Sequence, residues 1–137
     1  MQYPIPIGMI VCQILLLASP AAAEVKLERL SQDNWDALVP AGKEVDAIYG
    51  DYVLQNDHIV AVIANPLPDR RANLTVGNVG GAVIDLTSRK ESNDQLGAFY
   101  PGAGVYRFTD PTKVRIQRLG RRVVLTMEAD TAVGAMK

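Results

Sequence analysis

The chain has 137 residues, with 14 Lys or Arg against 15 Asp or Glu, which gives a formal net charge of −1. This balance argues against non-specific nucleic-acid binding, which needs a strong positive field. The only cysteine is Cys12. Beyond it the chain can form no disulfide, thiolate metal site or cysteine nucleophile. We expect no nucleic-acid partner and no cofactor.

Residues 1–23 predict a cleaved secretory signal peptide. A largely apolar segment from Ile7 to Ala18 precedes Ala21-Ala22-Ala23, and Glu24 is the first charged residue. An apolar stretch of about a dozen residues before an A-x-A site is typical of such peptides. It is shorter than the ~20 residues of a membrane-spanning helix. We expect cleavage after Ala23, export to the periplasm or the exterior, and no permanent membrane anchor. Because the segment before Ile7 lacks Lys and Arg, an uncleaved anchor is the alternative.

The start of the remaining chain, residues 24–137, predicts an edge strand and a helical turn. Glu24 to Leu30 alternates charged and apolar residues over most of its length, which is typical of a strand with one buried face. Ser31 can cap a brief helix that ends before Pro40. Trp35 and Leu38 then share one helical face. We expect Trp35 to seat this turn on the core, and an exposed ligand-stacking Trp is the alternative.

The next stretch predicts the central hairpin. Ile59 to Ala64 is the most continuously apolar run outside the N-terminus, and it follows a strand pattern at Asp51 to Gln55. The connection is Asn56-Asp57-His58. Asn and Asp tolerate positive φ and suit tight turns. We expect these residues to form a turn. His58 is the only histidine, and we expect it to be a surface turn residue in preference to a ligand-binding residue.

The rest of the chain predicts further short strands separated by turns. Two prolines make residues 65–72 a surface loop, and glycines at 77–81 indicate positive φ or close backbone approach. The Arg70-Arg71 and Arg121-Arg122 doublets are predicted to be solvated turn ends. The predicted strands are Asn73–Val76, Ala82–Leu86, Val105–Phe108, Lys113–Leu119 and Arg122–Glu128, the last two joined at Leu119-Gly120. This pattern predicts a small, all-β, antiparallel β-sandwich with one short N-terminal helical turn.

Four segments carry a resemblance to a known family. They are Pro40–Asp46, Gly50–Asp57 with Val60–Ile63, Gly80–Leu86 and Asn93–Leu96. Together they resemble the N-terminal β-domain that precedes the catalytic part of some large secreted bacterial proteins, including metallohydrolases of the polymerase and histidinol phosphatase type. The resemblance implies an exported accessory β-domain. The histidine-rich motifs of the hydrolase part have no counterpart here, so that activity is not carried over.

A second likeness is to the galactose mutarotase-like β-supersandwich. It lies in Gly80 to Leu86 followed by Asp94-Gln95-Leu96. The likeness implies the fold at most, because His58 does not match the context of the catalytic histidine of that family.

Candidate site residues are few. Asp85 follows the apolar Ala82 to Ile84, where burying a carboxylate costs several kcal/mol unless it is paired. We expect Asp85 to cap a loop or to pair with an arginine such as Arg89, and a catalytic role is the less favoured alternative. The low-ranked ligand-binding candidates are Asp85, Asp94, Tyr100 and His58. The acidic residues lack the spacing of a calcium loop, so no metal site is predicted.

The leading functional hypothesis is an exported, non-catalytic accessory or interaction domain. Its predicted partner is a C-terminal domain of the same longer polypeptide. The alternative is a carbohydrate-binding or carbohydrate-active sandwich, with Asp85, Asp94 and Tyr100 around a shallow groove. The tail from Ala129 to Lys137 has no stop signal and no obvious final element. Either this tail is a disordered end, or the chain is the N-terminal part of a longer protein.

Overall fold

The computed structural model describes residues 24–40, 45–91 and 96–132. The predicted signal peptide, with Cys12, and Asp94 lie outside these ranges. The described part is mostly strand with little helix, which confirms the predicted all-β fold. Its elements are β1 (Lys26–Arg29), α1 (Trp35–Leu38), β2 (Tyr52–Gln55), β3 (Ile59–Ile63), β4 (Val83–Ser88), a 3-10 turn (Pro101–Gly104), β5 (Tyr106–Arg107), a 3-10 turn (Pro111–Lys113), β6 (Val114–Leu119), β7 (Arg122–Met127) and β8 (Thr131–Ala132).

The first four strands form one antiparallel sheet in the order β1-β2-β3-β4. Val53 of β2 pairs with Val62 of β3, and Val62 pairs with Asp85 of β4. Side chains directly opposite each other lie on the same face of a sheet, so these residues define one face. The register shifts between Val62 and Ile63, which leaves Ile84 as the extra residue of a bulge.

The hydrophobic core lies on that face. Trp35 and Leu38 of α1 pack against it, as the sequence predicts. A fully buried Val or Ile side chain contributes about 1.5–3 kcal/mol by leaving water, so this face supplies most of the apolar stabilisation. The core residues are Leu30, Ala47, Val53, Val60, Val62, Ala64, Val79, Ala82 and Ile84.

A second, smaller layer lies over the opposite face of the sheet. β6 and β7 form a hairpin with Leu119 opposite Arg122, and Gly120 takes the predicted positive φ of 60° in the turn. Leu125 and Met127 of β7 line one space together with Leu54 and other side chains of the sheet. This arrangement is sandwich-like. A further ladder pairs β5 with β8.

Three predicted elements differ from the observed ones. Asn73 to Val76 forms no strand, because Asn73 Oδ1 accepts from the backbone N–H groups of Thr75 and Val76 at 3.0 Å and closes a turn. Side chains of this type compete with strand ladders. The helix is shorter than predicted and follows Asn34; the Ser31 N–H donates to Asn34 Oδ1 at 2.8 Å. The strand predicted at Val105–Phe108 covers only β5.

Candidate functional site

The most strongly built polar feature is a buried ion pair between Asp51 and Arg70. Arg70 Nη2 donates to Asp51 Oδ2 at 2.7 Å. Asp51 is fully buried and Arg70 is 6% exposed. The prediction of Arg70 as a solvated turn end is therefore wrong, whereas its neighbour Arg71 is exposed. A doublet does not reveal which of its two members turns inward, because the partner lies 19 positions away.

The Asp51 carboxylate organises the loop that precedes β2. Its Oδ2 atom also accepts from Ile48 N–H at 2.8 Å, and its Oδ1 atom accepts from Asn65 N–H at 2.8 Å. Arg70 Nη2 reaches the Asp46 carbonyl at 2.9 Å. One buried charge pair thus fixes both ends of the loop and joins it to the segment after β3. Charge-assisted hydrogen bonds of this kind are about twice as strong as neutral ones.

The same loop is also tied to the end of β1. Gly50 N–H donates to the Leu30 carbonyl, and Leu30 N–H donates to the Asp51 carbonyl, both at 2.8 Å. Arg29 Nε donates to the Gly50 carbonyl at 3.1 Å. Gly50 has a φ of 96°, a conformation that glycine adopts without strain. The loop is therefore held from two sides.

On its outer side this rigid loop presents apolar side chains. Val45 and Ile48 are exposed, and Tyr49 is 58% exposed. The Tyr49 and Trp35 rings meet edge to face, with centroids 5.1 Å apart and planes at 89°. Such aromatic pairs add about 0.5–1.5 kcal/mol beyond the burial of area. Trp35, Ala47, Ile48 and Tyr49 line a shallow hollow of about 260 Å³, which we term the aromatic cup.

The aromatic cup was not found from the sequence. The sequence singled out Trp35 as a core contact, which it is, and kept an exposed stacking role as the alternative. The sequence pattern does not indicate a role for Tyr49, because nothing around it predicts that Asp51 and Arg70 hold its loop outward. The exposed residues Asp33 and Asp36 lie close to Trp35 in the sequence.

Asp85 lies on the core face of the sheet, opposite Val62, and is 2% exposed. It accepts a hydrogen bond from Thr87 Oγ1 at 3.3 Å. The expected partner Arg89 is engaged elsewhere: its Nε atom donates to the Asn56 carbonyl at 2.6 Å, and its Nη2 atom donates to Gln55 Oε1. Arg89 thus fastens the end of the central hairpin because β4 runs beside it.

His58 is exposed and lies in the turn between β2 and β3. Asn56 Oδ1 accepts from the His58 and Ile59 N–H groups at 2.8 and 2.9 Å, and the His58 carbonyl accepts from Arg89 N–H at 2.9 Å. The predicted turn is confirmed, and the Asn56 side chain closes it. Its expected positive φ is not observed at Asn56 or Asp57.

Tyr100 is half-buried, and its hydroxyl donates to the Gly77 carbonyl at 2.8 Å. Its neighbour Phe99 pairs with Val83 at the start of β4, whereas His58 lies at the end of β4, beside Arg89. Six residues of strand span roughly 20 Å. The structure therefore does not bring His58 and Tyr100 together.

A second polar cluster closes the base of the β6–β7 hairpin. Asp130 Oδ2 accepts from the Thr109 N–H at 2.8 Å and the Thr109 hydroxyl at 2.7 Å, and Lys113 Nζ donates to Asp130 Oδ1. The Lys113 hydrogen bond, followed by those of Thr109, lowers the pKa of Asp130 to about 2. The same contact raises the pKa of Lys113. These three residues, which we term the Asp130 clasp, connect the end of β5, the start of β6 and the segment before β8.

Within residues 24–40, 45–91 and 96–132, no three His, Cys, Asp or Glu side chains are placed to hold a metal ion. In the same ranges no helix has the length and apolar character needed to cross a bilayer.

Comparison of the chain with models of protein families, with curated proteins and with solved structures gave no match. No residue role is therefore transferred from a relative, and the functional proposal rests on the geometry of the aromatic cup and the loop that carries it.

Proposed function

We propose that the protein is an exported, non-catalytic interaction domain. It docks through the aromatic cup and Val45 onto another domain of a longer polypeptide. The observation that carries the proposal is the rigid loop itself, which turns Val45, Ile48 and Tyr49 outward over a buried ion pair.

The energetics favour a docking role for this surface. Trp and Tyr are enriched among the residues that dominate binding energy, and each large apolar side chain that a partner buries contributes about 1.5–3 kcal/mol. Because Asp51 and Arg70 already fix the loop, docking loses little of its free energy to ordering the backbone.

The positions of the titratable groups support a non-catalytic role. Asp51 is buried and accepts from three donors in the loops around it, and Asp130 is held by Thr109 and Lys113. A general acid or base needs a group that can reach a substrate. These carboxylates are committed to holding loops in place.

The first test is the reading frame. An open frame that continues past Lys137 is expected, and a stop codon directly after Lys137 would contradict docking within the same polypeptide. In the longer polypeptide, Tyr49→Asp should increase hydrogen exchange in residues 45–50 and in α1. The matched control is Leu74→Asp, since Leu74 is 94% exposed in a different loop. Equal exchange in both variants would refute docking at the aromatic cup.

Saccharide binding is the second candidate function. It is favoured by the Trp35 and Tyr49 rings, which share one hollow. Calorimetric titration of the chain with neutral and acidic oligosaccharides tests it. Saturable heat that is lost in Tyr49→Ala supports sugar binding, and absence of heat with every saccharide eliminates this candidate.

Export is tested separately. We expect secreted or periplasmic material to begin at Glu24, followed by Val25 and Lys26, when its intact mass and N-terminal peptide are measured. An intact Met1 on exported material would refute cleavage after Ala23.

A further inference from the structure

A cavity lies between the two β-layers, on the face of the sheet opposite the main core. Its walls come from the sheet and from β7, and its volume is about 360 Å³. We term it the interlayer cavity. The lining residues are Leu54, Ile63, Gly81, Val83, Pro101, Phe108, Leu125 and Met127.

The space is partly open to solvent, so it is a groove between the layers and not an enclosed void. Even an enclosed apolar cavity of about 150 Å³ accommodates benzene. Small-molecule sites span about 300–1,000 Å³. The interlayer cavity falls in the range of ligand sites.

The cavity is kept open at the base of the hairpin. Phe108 lies so close to Gly80 and Gly81 that a Cβ atom on Gly80 would stand 2.1 Å from the Phe108 carbonyl oxygen. A Cβ on Gly81 would stand 3.0 Å from the Phe108 ring. The Asp130 clasp fixes the chain just beyond Phe108. The chain next to the base of the hairpin therefore packs tightly against Gly80 and Gly81 at one end of the cavity.

The hairpin is also held near its tip. Arg118 Nη2 donates to the Leu27 carbonyl of β1 at 2.9 Å. Between these two attachments, Val123, Leu125 and Met127 face the sheet but remain only half-buried. The hairpin is thus attached to the sheet near its tip and packed against it near its base, and the inner side chains between these points are partly exposed.

The lining chemistry selects the occupant. Every lining side chain is apolar, so a charged or strongly polar molecule would lose its hydration without compensation. The unbranched, flexible Met127 adapts to irregular apolar shapes. A space between two sheets suits a long, thin molecule better than a globular one.

We propose that the interlayer cavity binds one slender apolar molecule, of the kind of a single acyl chain, between β2–β4 and β7. This inference goes beyond docking at the aromatic cup and uses different residues. Binding is driven by burial of the aliphatic chain against Leu54, Ile63 and Leu125, with any polar end left in water.

The fluorescent probe N-phenyl-1-naphthylamine is titrated into the full chain, and decanol is then added as a competitor. Wild-type protein should give saturable fluorescence that decanol reverses. Leu125→Trp fills the cavity and should weaken probe binding about tenfold or more. Val124→Trp adds the same ring to the outer face of the same strand, so it should bind within about twofold of wild type.

Far-UV circular dichroism checks that both variants fold. If Leu125→Trp does not fold, Leu54→Phe fills the cavity from the sheet side and takes its place. Lack of saturable binding by the wild type overturns the proposal, as does full binding by the filled variant or equal loss in Val124→Trp. Tyr49→Asp should leave probe binding unchanged, so failure here and failure of docking at the aromatic cup are distinguishable.

Discussion

The four-stranded sheet and the β6–β7 hairpin are built from similar residues but buried to different depths. In the sheet, Val53 and Val62 are fully buried. In the hairpin, no residue from Val114 to Met127 is fully buried. β3 is apolar along almost its whole length because both of its faces are covered, whereas β7 alternates because only one face is covered. The comparison teaches that alternation identifies the inner face of a strand without fixing how deeply that face is buried.

The two regions also use charge differently. The sheet depends on one buried pair, Asp51 with Arg70. The hairpin has five Lys or Arg and no Asp or Glu between Lys113 and Met127, and its partners Glu128 and Asp130 follow β7. Arg115 and Glu128 form an exposed pair at 3.0 Å. Exposed pairs contribute about 0–1 kcal/mol, so the hairpin should tolerate loss of charge far better than the sheet.

The largest effect should come from breaking the buried pair. Asp51→Ala leaves Arg70 charged and unpaired in the interior, which should lower the free energy of unfolding by about 3–5 kcal/mol. Urea denaturation measures the change. The control is Asp57→Ala, which removes an exposed carboxylate from the turn between β2 and β3. A loss of less than about 1 kcal/mol in Asp51→Ala would show that the pair is not the anchor of the loop.

Two isoleucine truncations compare burial in the two layers directly. Ile84→Ala opens a hole in the main core and should cost about 2–5 kcal/mol. Ile116→Ala removes the same atoms from a side chain that is 45% exposed in β6, and should cost about 1 kcal/mol or less. Chemical denaturation of both variants under one set of conditions gives the difference. Equal costs would mean that the hairpin is packed as tightly as the sheet.

The junction between the layers should respond to a single methyl group. Gly80→Ala places Cβ against the Phe108 carbonyl and the Pro66 backbone, so the hairpin base must shift, at a cost of about 1–3 kcal/mol. Gly97→Ala is the matched control, because a Cβ there meets nothing within 4 Å. Thermal unfolding and hydrogen exchange of β6 and β7 report the change. Unchanged exchange in Gly80→Ala would place the close contact elsewhere.

The smallest effect should be a pH dependence confined to the hairpin base. Lys113 and Thr109 hold the pKa of Asp130 at about 2, below its usual 3.8. A carboxyl group with a lowered folded pKa stabilises the protein above its unfolded pKa, and this contribution is lost as pH falls from about 4 to about 2. NMR titration of the Asp130 carboxyl carbon checks the midpoint. Asp130→Asn should remove this pH-dependent part of the stability, and a midpoint near 4 would contradict the clasp.

The sequence predicted much of the fold because its signals are local. The apolar run of β3, the Asn56 turn and the Gly120 turn each depend on a few neighbouring residues, and all three are observed. Asn73 was misassigned because its side chain bonds to nearby backbone groups in preference to a strand ladder.

The candidate sites were not predictable in the same way. Arg70 finds Asp51 across 19 positions, and Tyr49 reaches Trp35 only because that pair holds its loop. The interlayer cavity depends on where the hairpin lies over the sheet. Such long-range placements follow from tertiary packing, which periodicity and turn residues do not encode.

The single extra residue in β4 determines which chemistry each layer meets. Strict alternation after Val83 would point Asp85 toward the hairpin and Leu86 toward the main core. Because the strand is one residue longer at Ile84, Ile84 and Asp85 both face the main core, and Leu86 stays on the side of Val83. The insertion keeps a carboxylate out of the space beneath the hairpin. Deleting Ile84 would leave Val83 and Asp85 on their present faces and make the ladder regular, so the main core would lose one isoleucine side chain while the space beneath the hairpin stays apolar.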